Sequence, residues 1–130
     1  MNRFTHFELA SSDLEKTAAF YRDVFGWQVQ KWEGPVEYWL VTTGDQTTVG
    51  INGGLMQSSE LPNGTVFNGT INTIQVDDID AAIAKVEANG GQIVLPKDAI
   101  PGVGWQAYFK DNCGIIVGLH QADDKAGMGS

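Results

Sequence analysis

Two stretches of the chain, 65 residues apart, carry the same helix signals. The first predicted helix begins at Asp13 and ends at Gly26, and the second begins at Asp78 and ends at Gly91. An aspartate is a favourable N-cap, and a glycine supplies the left-handed stop after a helix. A period of this length that occurs twice in 130 residues indicates a duplicated supersecondary unit rather than a solenoid or a propeller. Any functional site is therefore expected where the two halves face each other.

Each half also has the same predicted order of strands around its helix. Alternating apolar residues and turn residues predict strands over 4–9, 27–32, 37–43 and 48–55 with a helix over 13–25, and then strands over 70–76, 92–96, 105–109 and 114–121 with a helix over 78–89. A helix on one face of each sheet leaves the opposite face free to curve around a cavity. The sequence therefore predicts an α+β fold of two βαβββ modules in tandem, with curved mixed sheets that enclose a cup and with the helices outside.

The length of the chain fits one ordinary domain. We expect this domain over residues 1–122, with modules at about 3–57 and 68–122. The polar, glycine-containing segment 123–130 is expected to be a flexible tail.

The composition argues against several classes of function. The net charge is −8 and the eight lysine and arginine residues are scattered, so nucleic acid is not an expected partner. No apolar run approaches the roughly 20 residues of a membrane span, and the N-terminus lacks a secretory signal pattern. The single cysteine, Cys113, suits a reducing compartment, and its neighbour Asp111 disfavours a reactive thiolate. These features predict a cytoplasmic protein with no membrane partner.

The first predicted strand places two polar side chains on the face away from its helix. Alternation puts Phe7 and Leu9 on one face and His6 and Glu8 on the other. Desolvation would raise the pKa of a carboxyl group on a concave apolar face unless it is paired, so Glu8 is a candidate general base with His6 beside it. The alternative is that both residues are hydrogen-bonded structural groups.

The 65-residue register predicts which other residues share the cup. It superposes Gly53 on Gly118, where absent side chains would make room for a ligand. Aromatic walls are typical of cavities for small organic molecules. The predicted binding residues are Tyr38, Trp39, Ile51, Gly53, Thr73, Trp105, Ile116, Gly118 and His120.

The chain resembles the vicinal oxygen chelate superfamily, which includes glyoxalase I, bleomycin-resistance proteins and extradiol dioxygenases. The resemblance covers roughly residues 4–121, beginning with the His6-Phe7-Glu8-Leu9 stretch. It continues through Asp13-Leu14-Glu15-Lys16, Phe20 to Trp27, Val76 to Asp80, Pro101 to Trp105, Asp111 to Gly114 and Gly118 to Gln121. It implies the glyoxalase/bleomycin resistance fold, a small-molecule ligand and a homodimer.

In metal-using members, the resemblance implies four ligand positions on the first and fourth strands of the two modules. His6 matches one of them, but Gly53, Gly118 and either Ile71 or Thr73 occupy the others. A catalytic divalent ion needs about three protein ligands, and glycine offers none. We therefore expect no metal cofactor, and the alternative ligand set is His6, Glu8 and His120.

Three functions remain open from the sequence. The first is a glyoxalase-like protein that binds a small organic molecule, either to sequester it or to transform it with Glu8 and His6 as catalytic residues. The second is a divalent-metal-dependent lyase, isomerase or dioxygenase. The third is a non-catalytic scaffold or regulatory module whose cup is filled by its own side chains.

Overall fold

The computed structural model describes residues 1–128 and divides the chain into two compact units. One unit is Thr5–Ile71, and the other combines Met1–Phe4 with the chain from Asn72 onward. Each unit has a hydrophobic core of its own. The predicted α+β class and the repeated βαβββ order are both confirmed.

The first unit is built on a four-stranded mixed sheet in the order β2-β3-β4-β1. Its main elements are β1 (Arg3–Ser11) from Thr5 onward, α1 (Leu14–Phe25), β2 (Gln28–Lys31), β3 (Trp39–Thr42) and β4 (Gly53–Gln57). Strands β1 and β4 are parallel, whereas β3 is antiparallel to both of its neighbours. A separate two-stranded ribbon follows, formed by β5 (Ser59–Glu60) and β6 (Val66–Phe67).

The second unit repeats this arrangement with the strand order β8-β9-β10-β7. Its elements are β7 (Gly69–Gln75), α2 (Ile79–Ala88), β8 (Gln92–Ile100), β9 (Gly104–Lys110) and β10 (Ile116–Ala122). Strands β7 and β10 are parallel, and the other two pairs are antiparallel. The equivalent strands of the two units therefore pair in the same directions.

The two helices begin with the predicted aspartate caps. An Asp13 carboxylate oxygen accepts a hydrogen bond from Lys16 N at 3.0 Å, and Asp78 accepts one from Ala81 N at 3.1 Å. These bonds satisfy amide groups that have no partner within the helix. Helix α1 is capped by Gly26, whose φ of 70° is the left-handed conformation that favours glycine.

Both cores lie on the helix-bearing faces of the sheets. In the first unit the core includes Leu14, Ala18, Val29, Trp39, Val41 and Leu55. In the second it includes Val76, Ile79, Ala107, Phe109 and Leu119. The opposite sheet faces are thus left to residues at the alternate strand positions.

The strand predicted over 48–55 is observed as β4 at Gly53–Gln57, and this difference changes its side-chain directions. The loop before it is held by hydrogen bonds from Thr43 Oγ1 to Ile51 O at 2.7 Å and from Thr43 N to Asn52 Oδ1 at 2.9 Å. Ile51 therefore precedes the strand and is 38% exposed. Its predicted position on the same strand face as Gly53 is wrong, because the hydrogen-bonded loop extends through Asn52 and β4 begins only at Gly53.

The segment after β10 makes specific contacts in its described part. Asp123 Oδ2 accepts a hydrogen bond from Trp105 Nε1 at 3.1 Å, and Ala126 O accepts one from Gly102 N at 2.9 Å. Ala126 is fully buried. The predicted flexible tail over 123–130 is thus anchored through Ala126, while Gly129 and Ser130 lie outside the described residues. Among residues 1–128, no helix is long and apolar enough to cross a membrane.

Candidate binding site

A polar patch lies on the sheet face of the first unit that points away from α1. Phe7 and Leu9 pack against the helix-side core, so the alternate residues His6 and Glu8 occupy the other face of β1, as their spacing predicts. Glu8 is only 4% exposed and lies opposite Gly54 in the parallel β1–β4 pair. A carboxyl group that is this buried is uncommon in proteins unless it is paired or has a functional task.

Tyr38 joins His6 to form the polar part of this patch. The Tyr38 hydroxyl lies 2.7 Å from His6 Nε2, and the two rings are stacked at 17° with centroids 6.4 Å apart. Burial lowers the pKa of His6, and the negative charge of Glu8 partly opposes that shift. The imidazole is therefore mainly neutral at pH 7, a form in which one nitrogen donates and the other accepts a hydrogen bond. We name His6, Glu8 and Tyr38 the polar triad.

Gly54, rather than Gly53, is the glycine on the face of the polar triad. A Cβ atom added at Gly54 would lie 1.8 Å from Tyr38 Oη, whereas one at Gly53 would lie 2.7 Å from the ring of Phe7, which packs on the helix-bearing side. The predicted position of Gly53 is therefore corrected by one residue. Such a shift moves a side-chain position to the other face of the sheet.

A shallow cavity of about 260 Å³ adjoins Tyr38 at the turn between β2 and β3. The Trp32 ring meets the Tyr38 ring edge-on at 83°, with centroids 6.3 Å apart. The cavity is lined by Lys31, Trp32, Gly34, Pro35, Val36, Glu37, Tyr38 and Trp39. The polar triad thus lies beside a recess whose lining includes the rings of Trp32 and Tyr38, which we name the aromatic recess.

The equivalent face of the second unit has different chemistry. Thr73 lies opposite Gly118 on one side and Tyr108 lies opposite it on the other. A Cβ atom at Gly118 would lie 2.6 Å from Thr73 Oγ1 and 3.2 Å from a Tyr108 ring carbon. The space above Gly118 is therefore filled by neighbouring side chains.

The remaining residues predicted on this face keep their alternation along β10. Gly118 and His120 are alternate residues, as are Gly118 and Ile116, so all three share a face. The His120 ring packs over Gly104, where an added Cβ would lie 2.6 Å from His120 Nε2. The Gln106 amide donates a hydrogen bond to the Tyr108 hydroxyl, so these two residues, which are outside the predicted binding set, lie beside the predicted ones.

The two tryptophans predicted as cavity walls lie on the helix-bearing faces. Trp39 is 6% exposed within the core of the first unit. Trp105 packs against the core of the second unit, and Lys97 Nζ lies 4.6 Å from the centre of its ring. The predicted position of Trp105 is corrected, because adjacent strand residues point to opposite faces, whereas Trp39 belongs to the core and also lines the recess. That same rule applied to Tyr38 and Trp39 would have separated them from sequence.

The donor set does not fit the divalent metal site that the resemblance implies. Among residues 1–128, no group of three His, Cys, Asp or Glu side chains is arranged to hold a metal ion. His6 Nε2 is hydrogen-bonded to Tyr38, and the fourth-strand positions on the two faces are Gly54 and Gly118. Three or more donors would be needed around one ion.

The fold and sequence define a family. The chain belongs to the Glyoxalase/Bleomycin resistance protein/Dioxygenase superfamily, whose sequence pattern it matches over residues 3–119. It is 28% identical over 131 aligned positions to CFP32 of Mycobacterium bovis, which is named as a glyoxylase. That match covers 92% of this chain and 46% of CFP32, so the chain spans about half the length of this relative.

Solved structures share the fold at low sequence identity. Hypothetical protein BH1468 from Bacillus halodurans has a TM-score of 0.67 and 18% identity, with coverage of 96% of this chain and 97% of that one. A variant of Streptomyces coelicolor methylmalonyl-CoA epimerase, in complex with 2-nitronate-propionyl-CoA, has a TM-score of 0.66 and 19% identity, with coverage of 98% and 99%. These similarities show the architecture, and function has to be argued from this chain's own residues.

Proposed function

We propose that this protein binds a small organic molecule at the polar triad and the adjoining aromatic recess. The observation that carries the proposal is the placement of a 4% exposed carboxyl group beside an imidazole–phenol pair on a sheet face away from the core. Ligand sites typically combine apolar and aromatic walls with a few convergent polar groups. Tyr38 and His6 would anchor a polar group of the ligand, and Trp32 would contact its apolar part.

Where the bound molecule is also transformed, Glu8 and His6 are the groups suited to move a proton. A general base must be unprotonated at the working pH and must lie within hydrogen-bonding reach of the substrate proton. The lowered pKa of His6 keeps its imidazole neutral near pH 7. Such a site favours proton transfer on a carbon or oxygen acid, with Glu8 or His6 as the acceptor.

The test is a thermal-shift and calorimetry screen with a panel of small carboxylic acids, ketones and phenols. A compound that binds only the folded protein stabilises it by about 2.7 kcal/mol at 100 times its Kd. We expect at least one compound to stabilise the parent protein and to bind at least tenfold more weakly, about 1.4 kcal/mol, to Tyr38→Phe and to Glu8→Gln.

Two matched variants control for general damage. Tyr21→Phe removes a hydroxyl from an aromatic cluster in the same unit, and Glu60→Gln neutralises an exposed glutamate. Both should bind the same compound as tightly as the parent. Equal binding by all four variants, or a panel in which no compound binds, would contradict the proposed site.

Metal analysis separates this proposal from a metal-dependent lyase, isomerase or dioxygenase. Purified protein would be analysed for bound Mn, Fe, Ni and Zn, and its melting followed with each divalent ion added. We expect no stoichiometric metal and no stabilisation that His6→Ala removes. Stoichiometric metal that is lost in His6→Ala would establish the alternative with His6, Glu8 and His120 as candidate ligands.

If the protein is instead a non-catalytic scaffold, no compound of the panel should bind, because the cavity would be filled by the protein's own side chains. A homodimer and a cytoplasmic location also stay predictions. Sedimentation equilibrium of the purified chain would measure the first, and fractionation of the cells that express it would measure the second.

A further inference from the structure

The Tyr38 hydroxyl occupies the space in which any other residue at position 54 would carry its side chain. A Cβ atom built on Gly54 would lie 1.8 Å from Tyr38 Oη, 2.0 Å from Cζ and 2.5 Å from Cε1. Non-bonded carbon and oxygen atoms need well over 3 Å. Only glycine is therefore compatible with this position of the Tyr38 ring.

Gly54 is also central to the face that carries the polar triad. Its neighbours in the sheet are Glu8 on β1 and Leu40 on β3. Because a residue directly opposite another shares its face, the Tyr38 hydroxyl lies over the strand beside Glu8 and reaches His6 Nε2 at 2.7 Å. The absent side chain of Gly54 thus allows one phenol to reach the imidazole.

The other end of Tyr38 is held by contacts that do not involve Gly54. Tyr38 O accepts a hydrogen bond from Trp32 N at 2.8 Å, and the Trp32 ring packs edge-on against the phenol. The backbone and the ring base are fixed in this way, so the orientation of the hydroxyl depends on the space above Gly54 and on His6. A larger residue at 54 would turn the phenol away from the imidazole.

We propose that Gly54 is a positioning residue for the polar triad: its missing side chain admits the Tyr38 hydroxyl, which fixes the His6 imidazole beside Glu8. The functional importance of this arrangement rests on the proposed ligand site, whereas the arrangement itself does not. Gly54 acts through Tyr38 and need not touch the ligand.

The test is the titration of the His6 ring by NMR in Gly54→Ala. The chain has two histidines, and His6→Gln assigns the signals. Displacing the phenol exposes the imidazole to water, and burial is the main cause of its lowered pKa. Glu8 and Tyr38, which lie beside His6, remain chemically unchanged. We therefore expect the pKa of His6 to rise towards its ordinary value.

Two further variants show whether the effect passes through Tyr38. Tyr38→Ala should shift the His6 titration in the same direction, and adding Gly54→Ala to that variant should produce no further shift. In the control Gly44→Ala, the new Cβ meets only Thr48 Oγ1 at 3.1 Å, and the His6 titration should match that of the parent. If Gly54→Ala alone does not fold, the double variant with Tyr38→Ala should fold, because the space is then vacant.

An unchanged His6 titration in Gly54→Ala would overturn the proposal, as would a double variant that shifts further than Tyr38→Ala or fails to fold. Ligand binding is a separate measurement. A compound that binds the parent should bind Gly54→Ala at least tenfold more weakly. If no compound binds the parent, the proposed function fails while the His6 titration still decides the role of Gly54.

Discussion

The two units share one strand and helix plan, yet their sheet faces opposite the helices have different chemistry. In the first unit, the residue opposite the fourth-strand glycine on β1 is Glu8, and a phenol–imidazole pair lies beside it. In the second unit the equivalent residue on β7 is Thr73. The difference shows that duplication preserved the elements that build each core while the polar groups diverged on one face.

The fourth-strand glycines serve a common purpose in both units. Tyr38 lies over Gly54, while Thr73 and Tyr108 crowd Gly118. The space is therefore used by the protein's own side chains, whereas the sequence suggested that it was kept open for a ligand. In the first unit the Tyr38 hydroxyl lies over Gly54 and reaches the His6 imidazole. In the second unit the Thr73 side chain lies against Gly118.

The largest expected effect is in the two cores, where the comparison predicts similar losses. Leu55 and Ile79 are each at most 1% exposed, and truncating such residues leaves a cavity. Leu55→Ala and Ile79→Ala should each lower the free energy of unfolding by about 2–5 kcal/mol, measured by urea denaturation. The half-exposed Leu40 is the control, because Leu40→Ala should cost much less. A small loss at only one core site would show that the units are not equivalent in stability.

The next effect concerns the crowded glycine of the second unit. Gly118→Ala places a methyl group 2.6 Å from Thr73 Oγ1, and overpacking of this kind costs about 1–3 kcal/mol. Denaturation of Gly118→Ala, Thr73→Ala and the double variant would measure the coupling. We expect the double variant to lose less than the sum of the two single losses, and strict additivity would contradict the contact.

Neutralising Glu8 should change stability little. Glu8→Gln keeps the shape of the side chain and one of its two acceptor oxygens. The free energy of unfolding should stay within about 1 kcal/mol of the parent or rise, as calorimetry would measure, with Glu60→Gln for comparison. A loss beyond about 2 kcal/mol would instead indicate a structural hydrogen-bonding role.

The smallest effect is the pH dependence that His6 contributes. Its folded-state pKa is lowered by burial, so the unfolded chain binds more protons than the folded one as the pH falls through the ordinary value near 6.5. Stability therefore falls with decreasing pH in that range. The free energy of unfolding should depend less steeply on pH in His6→Gln than in the parent between about pH 5 and 7. An identical slope in the two proteins would rule out a titrating, buried His6.

Several of these features followed from local rules. The helix caps at Asp13 and Asp78 were predictable because an aspartate side chain satisfies exposed amide groups at a helix start. The shared face of His6 and Glu8 followed from the two-residue period of a strand.

The position of β4 did not follow from the sequence. The loop between β3 and β4 spans residues 43–52, whereas the loop between β9 and β10 spans 111–115. Glu8 and Thr73 are 65 residues apart, but Gly54 and Gly118 are 64 apart. The constant offset of 65 residues therefore pointed to Gly53 instead of Gly54, because it makes no allowance for loops of different length in the two units.

The sequence by itself determined the duplication, the order of helices and strands, and the face of β1 that carries His6 and Glu8, because these depend on periodicity and capping within short segments. Only the tertiary structure decided that Tyr38 lies over Gly54 and reaches His6, and that Trp39 and Trp105 belong to cores. Those outcomes depend on the register between strands, where a shift of one residue reverses every side chain.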